Sequence, residues 1–513
     1  MSPAARIAVA VALGGFLMGF DASVISGVVG FVETEYALDA FALGWVVASL
    51  TLTAAVAMLA AGPLSDRYGR LPVLRVAAVL FALSAVFSAF APDYLTLVLA
   101  RMLGGLGVGA ALIIAPVYIA EIAPASDRGR LVSFNQLNIV VGISAAFFSN
   151  YLLLQWAGSG GELAATLRVD AHTWRWMLGV EALPAMLYLF ALSRLPESPR
   201  WLLMREREAD AVATLERAGF GASARGEAER IRASLTKDED TAAVPFLDLL
   251  SPAVRTIMIV ALIVALVQQV TGINAVFFYA PMIFEQSGIG TDAAFLQAVL
   301  VGVVNLVFTV FAMLVIDRLG RRPLLLTGLA GIAACMMLLS GAFADARYTL
   351  SSGADVPEAV TAAVADLESV TFESDLAFRE ALAERLSPEL LSTHEAALLQ
   401  AAVSIDATRV LIGILGFVAC FAFSLGPVMW VLLSELFPNR LRGVAISVVG
   451  LVNSAASFVV QLVFPVELAV LGNAMTFAVY GGFALLGLVL LWRLLPETKG
   501  QTLEALEAGL TER

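Results

Sequence analysis

GPLSDRYGR, residues 62–70, is a polar break between two long apolar runs, and its core occurs twice: DRYGR at 66–70 returns as DRLGR at 317–321, an offset of 251. Glu121 followed by Arg128 returns as Glu435 followed by Arg442, an offset of 314, and PESPR at 196–200 returns as PETKG at 496–500. The offset grows by 63, about the length of a polar insert lying between the two second-half copies. Two homologous halves account for all three pairs. The surrounding runs are long enough to cross a bilayer, which takes about 20 mostly apolar residues. About twelve such stretches are read, at 7–30, 42–62, 72–91, 95–119, 131–153, 175–194, 256–284, 293–316, 323–344, 409–433, 442–464 and 474–495. The fold class expected is an all-α membrane protein with two pseudo-symmetric six-helix bundles, because helices satisfy every backbone group within lipid. Duplicated halves are the build of rocking transporters.

Composition agrees. Of 513 residues, 60% are hydrophobic and 14% charged, against about 25% charged in soluble domains. This excludes a soluble globular protein and a disordered chain. Cys335 and Cys420, the only two cysteines, rule out a disulfide framework and a thiolate zinc cluster. His172 and His394 do not suggest a metal pair, and a net charge of -12 argues against nucleic acid. The N-terminal run has no clear cleavage site and reads as the first membrane helix. With that N-terminus in the cytoplasm, cytoplasmic segments hold 24 of the 31 lysines and arginines, the bias that sets topology. Both termini are then cytoplasmic.

The domain boundaries expected are a first bundle at 1–194, a cytoplasmic helical linker at 195–255, a second bundle at 256–498 and a cytoplasmic tail at 499–513. The insert at 345–408 falls on the extracytoplasmic side. From Asp345 to Asp406 it has twelve acids and three arginines. Short helices are expected in it, at VPEAVTAAVADLE (356–368) and AFREALAERL (377–386), with the charge as a solvated face.

Ionisable groups within membrane helices are functional candidates by default. Here they are Asp21 in helix 1, Arg101 opening helix 4 and Glu181 in helix 6. An acid whose contact with an arginine changes between conformations can take up a proton in one and release it in the other. A static buried pair is the alternative. Gln268 and Gln269 would be costly in an apolar helix unless bonded. Asn274 would point about 140° away from Gln269 on an ideal helix, so convergence needs a break, expected at Thr271–Gly272. A second disruption is expected at Gly426–Pro427, ahead of Trp430. The run GGLGVG (104–109) reads as close helix packing. No nucleotide, metal or redox cofactor is implied, and no constellation suggests catalysis.

GFDASVISG (19–27), GPLSDRYGR (62–70), RMLGGLGVG (101–109), YIAEIAPASDRGR (118–130), PESPRWL (196–202), QQVTGINAVFFY (268–279), GPVMWVLLSELFPNRLRG (426–443) and PETKG (496–500) form an ordered set. It resembles the sugar porter family of the major facilitator superfamily across nearly the whole chain outside the insert. The resemblance implies proton-coupled monosaccharide import by alternating access, with the proton as coupling ion. It places Asp21, Arg101 and Glu181 in proton coupling, and Gln136, Gln268, Gln269, Asn274, Asn305, Trp430 and Asn453 at the sugar. It also implies a cytoplasmic salt-bridge latch from Asp66, Arg67, Arg70, Glu121, Arg128, Glu197, Asp317, Arg318, Arg321, Glu435, Arg442 and Glu497. Its departures from the family are Ile143, Phe278 and Ser454, which leave hexose, pentose or cyclitol open. A passive uniporter is the alternative within transport. The setting implied is the inner membrane of a prokaryote, with lipid as surroundings and the monomer as the working unit.

Overall fold

The computed structural model describes residues 2–239, 249, 252–350, 358–437 and 439–497. The tail at 499–513 and parts of the linker and insert lie outside the described residues. Among the described residues, eleven helices are long and apolar enough to cross a membrane. They are Pro3–Gly27, Ala40–Tyr68, Arg70–Ala89, Tyr94–Ile122, Arg128–Gly158, Thr173–Ser193, Val254–Glu285, Thr291–Leu319, Arg321–Ala344, Ala407–Leu436 and Leu441–Leu494. The last is 54 residues long and is broken at Gly472 (φ 74°), so it supplies two spans and brings the total to twelve. These are helices 1 to 12 below, helix 11 ending and helix 12 beginning at Gly472.

Three boundaries differ from the sequence reading. The loop expected after residue 464 is helical up to Gly472. Pro465 lies inside that helix, and burial of Phe464 and Leu468 beside it outweighs the backbone bond a proline removes. Helix 10 breaks at Ser424 (φ -123°, ψ -91°), two residues before the expected Gly426–Pro427. Pro427 therefore sits in the first turn of the second segment, where its missing N–H costs nothing. Helix 6 loosens at Val180 and Glu181, between the helical pieces Thr173–Gly179 and Ala182–Ser193.

The described residues form two compact units: those within 2–24, 49–146 and 171–239 in the first, and those within 25–48, 147–170 and 249–497 in the second. Compactness thus divides the chain elsewhere than the sequence repeat does. The insert-side ends of first-half helices group with the second half. Trp45 meets Phe458 edge-on at 5.8 Å between ring centroids, and a Cβ on Gly44 would run into the Leu462 carbonyl.

In the first unit, helices 1, 3, 4 and 6 pack around Val11, Leu74, Phe81, Ile119 and Tyr188. Gly105 and Gly109 let helix 4 lie directly on the backbone of helix 2 at Leu50 and Ala54, the role expected of small residues. The linker contributes helices Pro199–Met204, Glu208–Arg217 and Ala224–Glu239 over a small core of Leu202, Leu215 and Ala228.

In the second unit, the insert is a folded body rather than only short helices. Strands Arg347–Thr349, Thr371–Phe372 and Val403–Ser404 form an antiparallel sheet with the first strand in the centre. Helices Glu358–Val364, Asp375–Ala383 and Pro388–Ala402 pack over it around Tyr348, Phe378, Leu382 and Leu398. Asp375 fastens the body to the helix 11–12 hairpin, accepting from the Asn473 backbone N–H at 3.0 Å and side-chain amide at 3.1 Å.

Candidate functional site

Three polar centres stand out, the first in the first unit, the second in the second unit and the third with one copy in each. The first joins helix 1 to helix 4. Asp21 and Arg101 are almost completely buried, at 0% and 1% exposure. Arg101 Nη1 donates to Asp21 Oδ1 at 2.5 Å, and Nη2 donates to the Asp21 carbonyl at 3.0 Å. The second carboxylate oxygen, Oδ2, has no hydrogen-bond partner among the described residues, and neither has Arg101 Nε. Gly104 makes room for that oxygen: a Cβ there would stand 2.5 Å from Oδ2 and 2.6 Å from Ser84 Oγ. Glu181, 1% exposed, lies within the field of both charges, and its Oε1 is likewise unbonded.

The second centre is a chain of amides linking helix 7 to helix 11. Gln268 donates to the Leu425 carbonyl at 3.0 Å. Asn453 Nδ2 donates to Gln268 Oε1 at 2.8 Å and to the Ala265 carbonyl at 3.0 Å. Gln269 Nε2 donates to Asn453 Oδ1 at 3.1 Å, and Asn274 Nδ2 donates to Gln269 Oε1 at 2.8 Å and to Ser457 Oγ at 2.6 Å. Gln461 extends the chain, donating to Ser457 Oγ at 2.8 Å. The expected break delivers Asn274 here: Gly272 (φ 90°, ψ 16°) separates Pro252–Val270 from Ile273–Glu285, a conformation that favours glycine. Trp430, 39% exposed, is carried on the second segment of helix 10. Asn305 is buried on helix 8 and joins none of these bonds. Gln136 is exposed on helix 5, in the first unit.

The third centre is double, one copy in each unit. Arg70 pairs with Asp66 at 2.8 Å and with Glu121 at 2.9 Å. Its counterpart Arg321 pairs with Asp317 at 3.0 Å and Glu435 at 2.7 Å. Gly69 (φ 107°, ψ 160°) and Gly320 (φ 91°, ψ 163°) make the same turn before each arginine. Glu197 accepts the backbone N–H groups of Arg70 at 3.2 Å and Leu71 at 3.1 Å. Glu497 accepts those of Arg321 and Arg322, each at 3.2 Å. Each PES/PET glutamate thus caps the N-terminus of the helix that begins with the motif arginine, where donors are unpaired and the helix dipole favours negative charge. Burial nevertheless raises the Glu197 carboxyl above its usual range, against the pull of those N–H donors. Other residues expected in the latch are placed differently. Arg67 stacks on Tyr68 at 5.2 Å, Arg442 donates to the Phe437 carbonyl at 3.3 Å, and Arg128 lines a hollow with Arg200 and Glu227. Arg318 lies in the last turn of helix 8.

Sequence reasoning missed Ser457, Gln461 and Gly104. A signal for the first two exists: Asn453, Ser457 and Gln461 are spaced by four and share one helix face. Gly104 opens the run GGLGVG read as close packing, but only the contact shows that its neighbour is Asp21.

The family model described as sugar (and other) transporter matches residues 7–360 and 392–510. The arabinose-proton symporter of Bacillus subtilis (strain 168) is 34% identical over 98% of this chain and 94% of its own. The D-xylose-proton symporter of Escherichia coli (strain K12) is 35% identical over 97% of this chain and 93% of its own. A partially occluded, inward-open structure of the xylose transporter XylE from E. coli superposes with a TM-score of 0.73 at 30% identity, covering 97% of this chain and 99% of that one. With the duplicated charge motifs, the buried Asp21–Arg101 pair and the amide chain already in place, this chain belongs to the sugar porter family of the major facilitator superfamily.

Proposed function

We propose that the protein imports a monosaccharide, a hexose or pentose, together with a proton by alternating access. The observation that carries this reading is Asp21: buried, held by Arg101 through one oxygen, with the other unbonded. Asp21 takes up the proton, Arg101 sets when it can leave, and Glu181 tunes both. Gln268, Gln269, Asn274 and Asn453 hold the sugar hydroxyls, since an amide offers donor and acceptor together. Trp430 covers a ring face, and Gln136 and Asn305 complete the candidate contacts. The duplicated clusters serve as the latch. Arg70–Asp66 and Arg321–Asp317, whose acids are exposed, are worth only about 0–1 kcal/mol each, Arg70–Glu121 is largely buried, and a two-state switch needs only a few kcal/mol in total. The protein works as a monomer in the inner membrane of a bacterium. Both termini are cytoplasmic and the insert is outside, the orientation favoured by the arginine distribution. The related symporters of arabinose and xylose support the substrate class.

The test is uptake into proteoliposomes with and without an inward proton gradient, for wild type and Asp21→Asn, using glucose, xylose, galactose and myo-inositol. Gradient-driven accumulation is expected in the wild type. Asp21→Asn loses it while keeping exchange at equal concentrations. Equilibration indifferent to the gradient in both proteins would instead make this a uniporter. Ser454, where the family usually has Trp, leaves space beside Asn453 and makes a cyclitol the second reading; hence the myo-inositol.

A further inference from the structure

The insert roofs a cavity of about 610 Å³, wholly inside the second unit. Its walls are the insert-side ends of helices 1, 2, 7, 8 and 11, and its roof is the insert helix Pro388–Ala402 with Arg379. None of the amides described above lines it. Helix 7 and helix 11 nevertheless line both places. On helix 7, Pro281 lies seven residues beyond Asn274, about 10 Å of helix rise. On helix 11, Pro465 follows Gln461 by four residues. Between the two places sits an aromatic plug: Tyr279, fully buried, donates to the Gln461 carbonyl at 3.0 Å and packs on Phe464 at 5.0 Å between centroids.

The lining combines hydrogen-bond acceptors with flat apolar surface. Glu33, Glu285 and Glu395 contribute carboxylates, and Arg379 is ion-paired with Glu395. Gln286 Oε1 is buried with no partner among the described residues, although an acceptor so placed is costly. Phe31, Phe295 and Leu391 supply the apolar faces. Thr34 and Asp39 in the lining are exposed, so the cavity communicates with solvent. Its volume is within the range of small-molecule sites, roughly 300–1,000 Å³. One orphaned acceptor beside three carboxylates calls for a ligand rich in donors, and apolar faces among them suit ring C–H surfaces better than a bare cation. Arg379 falls in the segment 361–391 that the family model does not match.

We propose that this cavity is an outer binding site for the same monosaccharide, which waits above the Tyr279–Phe464 plug with its hydroxyls on Glu33, Gln286 and Glu395. The proposal rests on the transport reading and deepens it. It makes the insert part of substrate capture.

The experiment is saturation binding of tritiated D-xylose and tritiated D-glucose to the purified full chain in lipid nanodiscs, read by scintillation proximity. Two saturable components are expected for the transported sugar. Leu391→Trp, which fills the cavity from its roof, and separately Glu33→Gln, should weaken one component by about tenfold or more. Gln269→Ala should weaken the other. A single component, lost in Gln269→Ala and indifferent to Leu391→Trp, would overturn the outer site and leave the transport reading standing. No saturable binding of either sugar, joined to no uptake of any sugar in proteoliposomes, would remove the transport reading and this site with it.

Discussion

At the residue scale the decisive unit is the Asp21–Arg101 pair, because neither partner reaches water. Taking one charge away leaves the other buried and unmatched, which typically costs about 3–5 kcal/mol, whereas replacing both by neutral groups of similar size is far cheaper. Arg101→Leu is therefore expected to lower the thermal unfolding midpoint strongly, and Asp21→Asn with Arg101→Leu to recover most of the loss. A double mutant no more stable than Arg101→Leu alone would show that the arginine acts through packing. Gly272 is the other residue that admits no substitute. Its φ of 90° suits glycine, and a Cβ would come within 2.7 Å of the Tyr480 ring. Gly272→Ala should cost about 1–3 kcal/mol of stability from backbone strain, and should weaken sugar binding as well, since the turn is what brings Asn274 to Gln269. Circular dichroism melts and saturation binding on one preparation would check both.

At the scale of elements, the repeat is also a repeat of capping. Helices 3 and 9 begin with the same glycine turn and the same arginine, and each receives a glutamate from the end of its half. Removing an N-cap side chain costs about 0.5–2 kcal/mol. Glu197→Ala and Glu497→Ala are expected to lower stability by similar amounts, and Glu→Gln at either position by less, because the amide oxygen still accepts. Strongly unequal losses in a melting series would mean that the two halves use the motif differently. Capping was not legible in PESPR or PETKG. Both glutamates lie far along the chain from the helices they cap, with Glu197 following Arg70 by 127 residues. Only the return of the chain to that helix end makes the pairing.

For the molecule as a whole, pH acts on stability through Glu33. Burial is the main cause that lifts its carboxyl from 4.5 to about 7; the charge of Glu395 adds to this, Arg379 opposes it, and Glu285 adds a little more. These are the charged groups that face it across the insert-side cavity. Between those two values the folded state holds a proton that the unfolded chain has released. Stability contributed by this group is thus full below about pH 4.5, falls as pH rises, and levels off above about 7. Melting midpoints across that range should decline in the wild type and stay flatter in Glu33→Gln. Equal slopes in the two proteins would place the titration elsewhere.

The twelve spans, the duplication, the folded linker helices and the break at Gly272 were readable from residue order, because each rests on local chemistry. Apolar length suffices for a span, recurrence at one offset for a duplication, and a glycine between two amides for a turn. The bonding order of Gln268, Asn453, Gln269, Asn274 and Ser457 was not readable, since it depends on which face of helix 11 meets helix 7. The insert went furthest beyond its sequence. Its acidic composition suggested a solvated surface, but its few apolar residues are spaced to close a core, and its central strand pairs with segments more than twenty and fifty residues away. Such pairings carry no local signature. Packing alone also decided that the insert-side ends of first-half helices join the second unit and that a cavity lies beneath the roof.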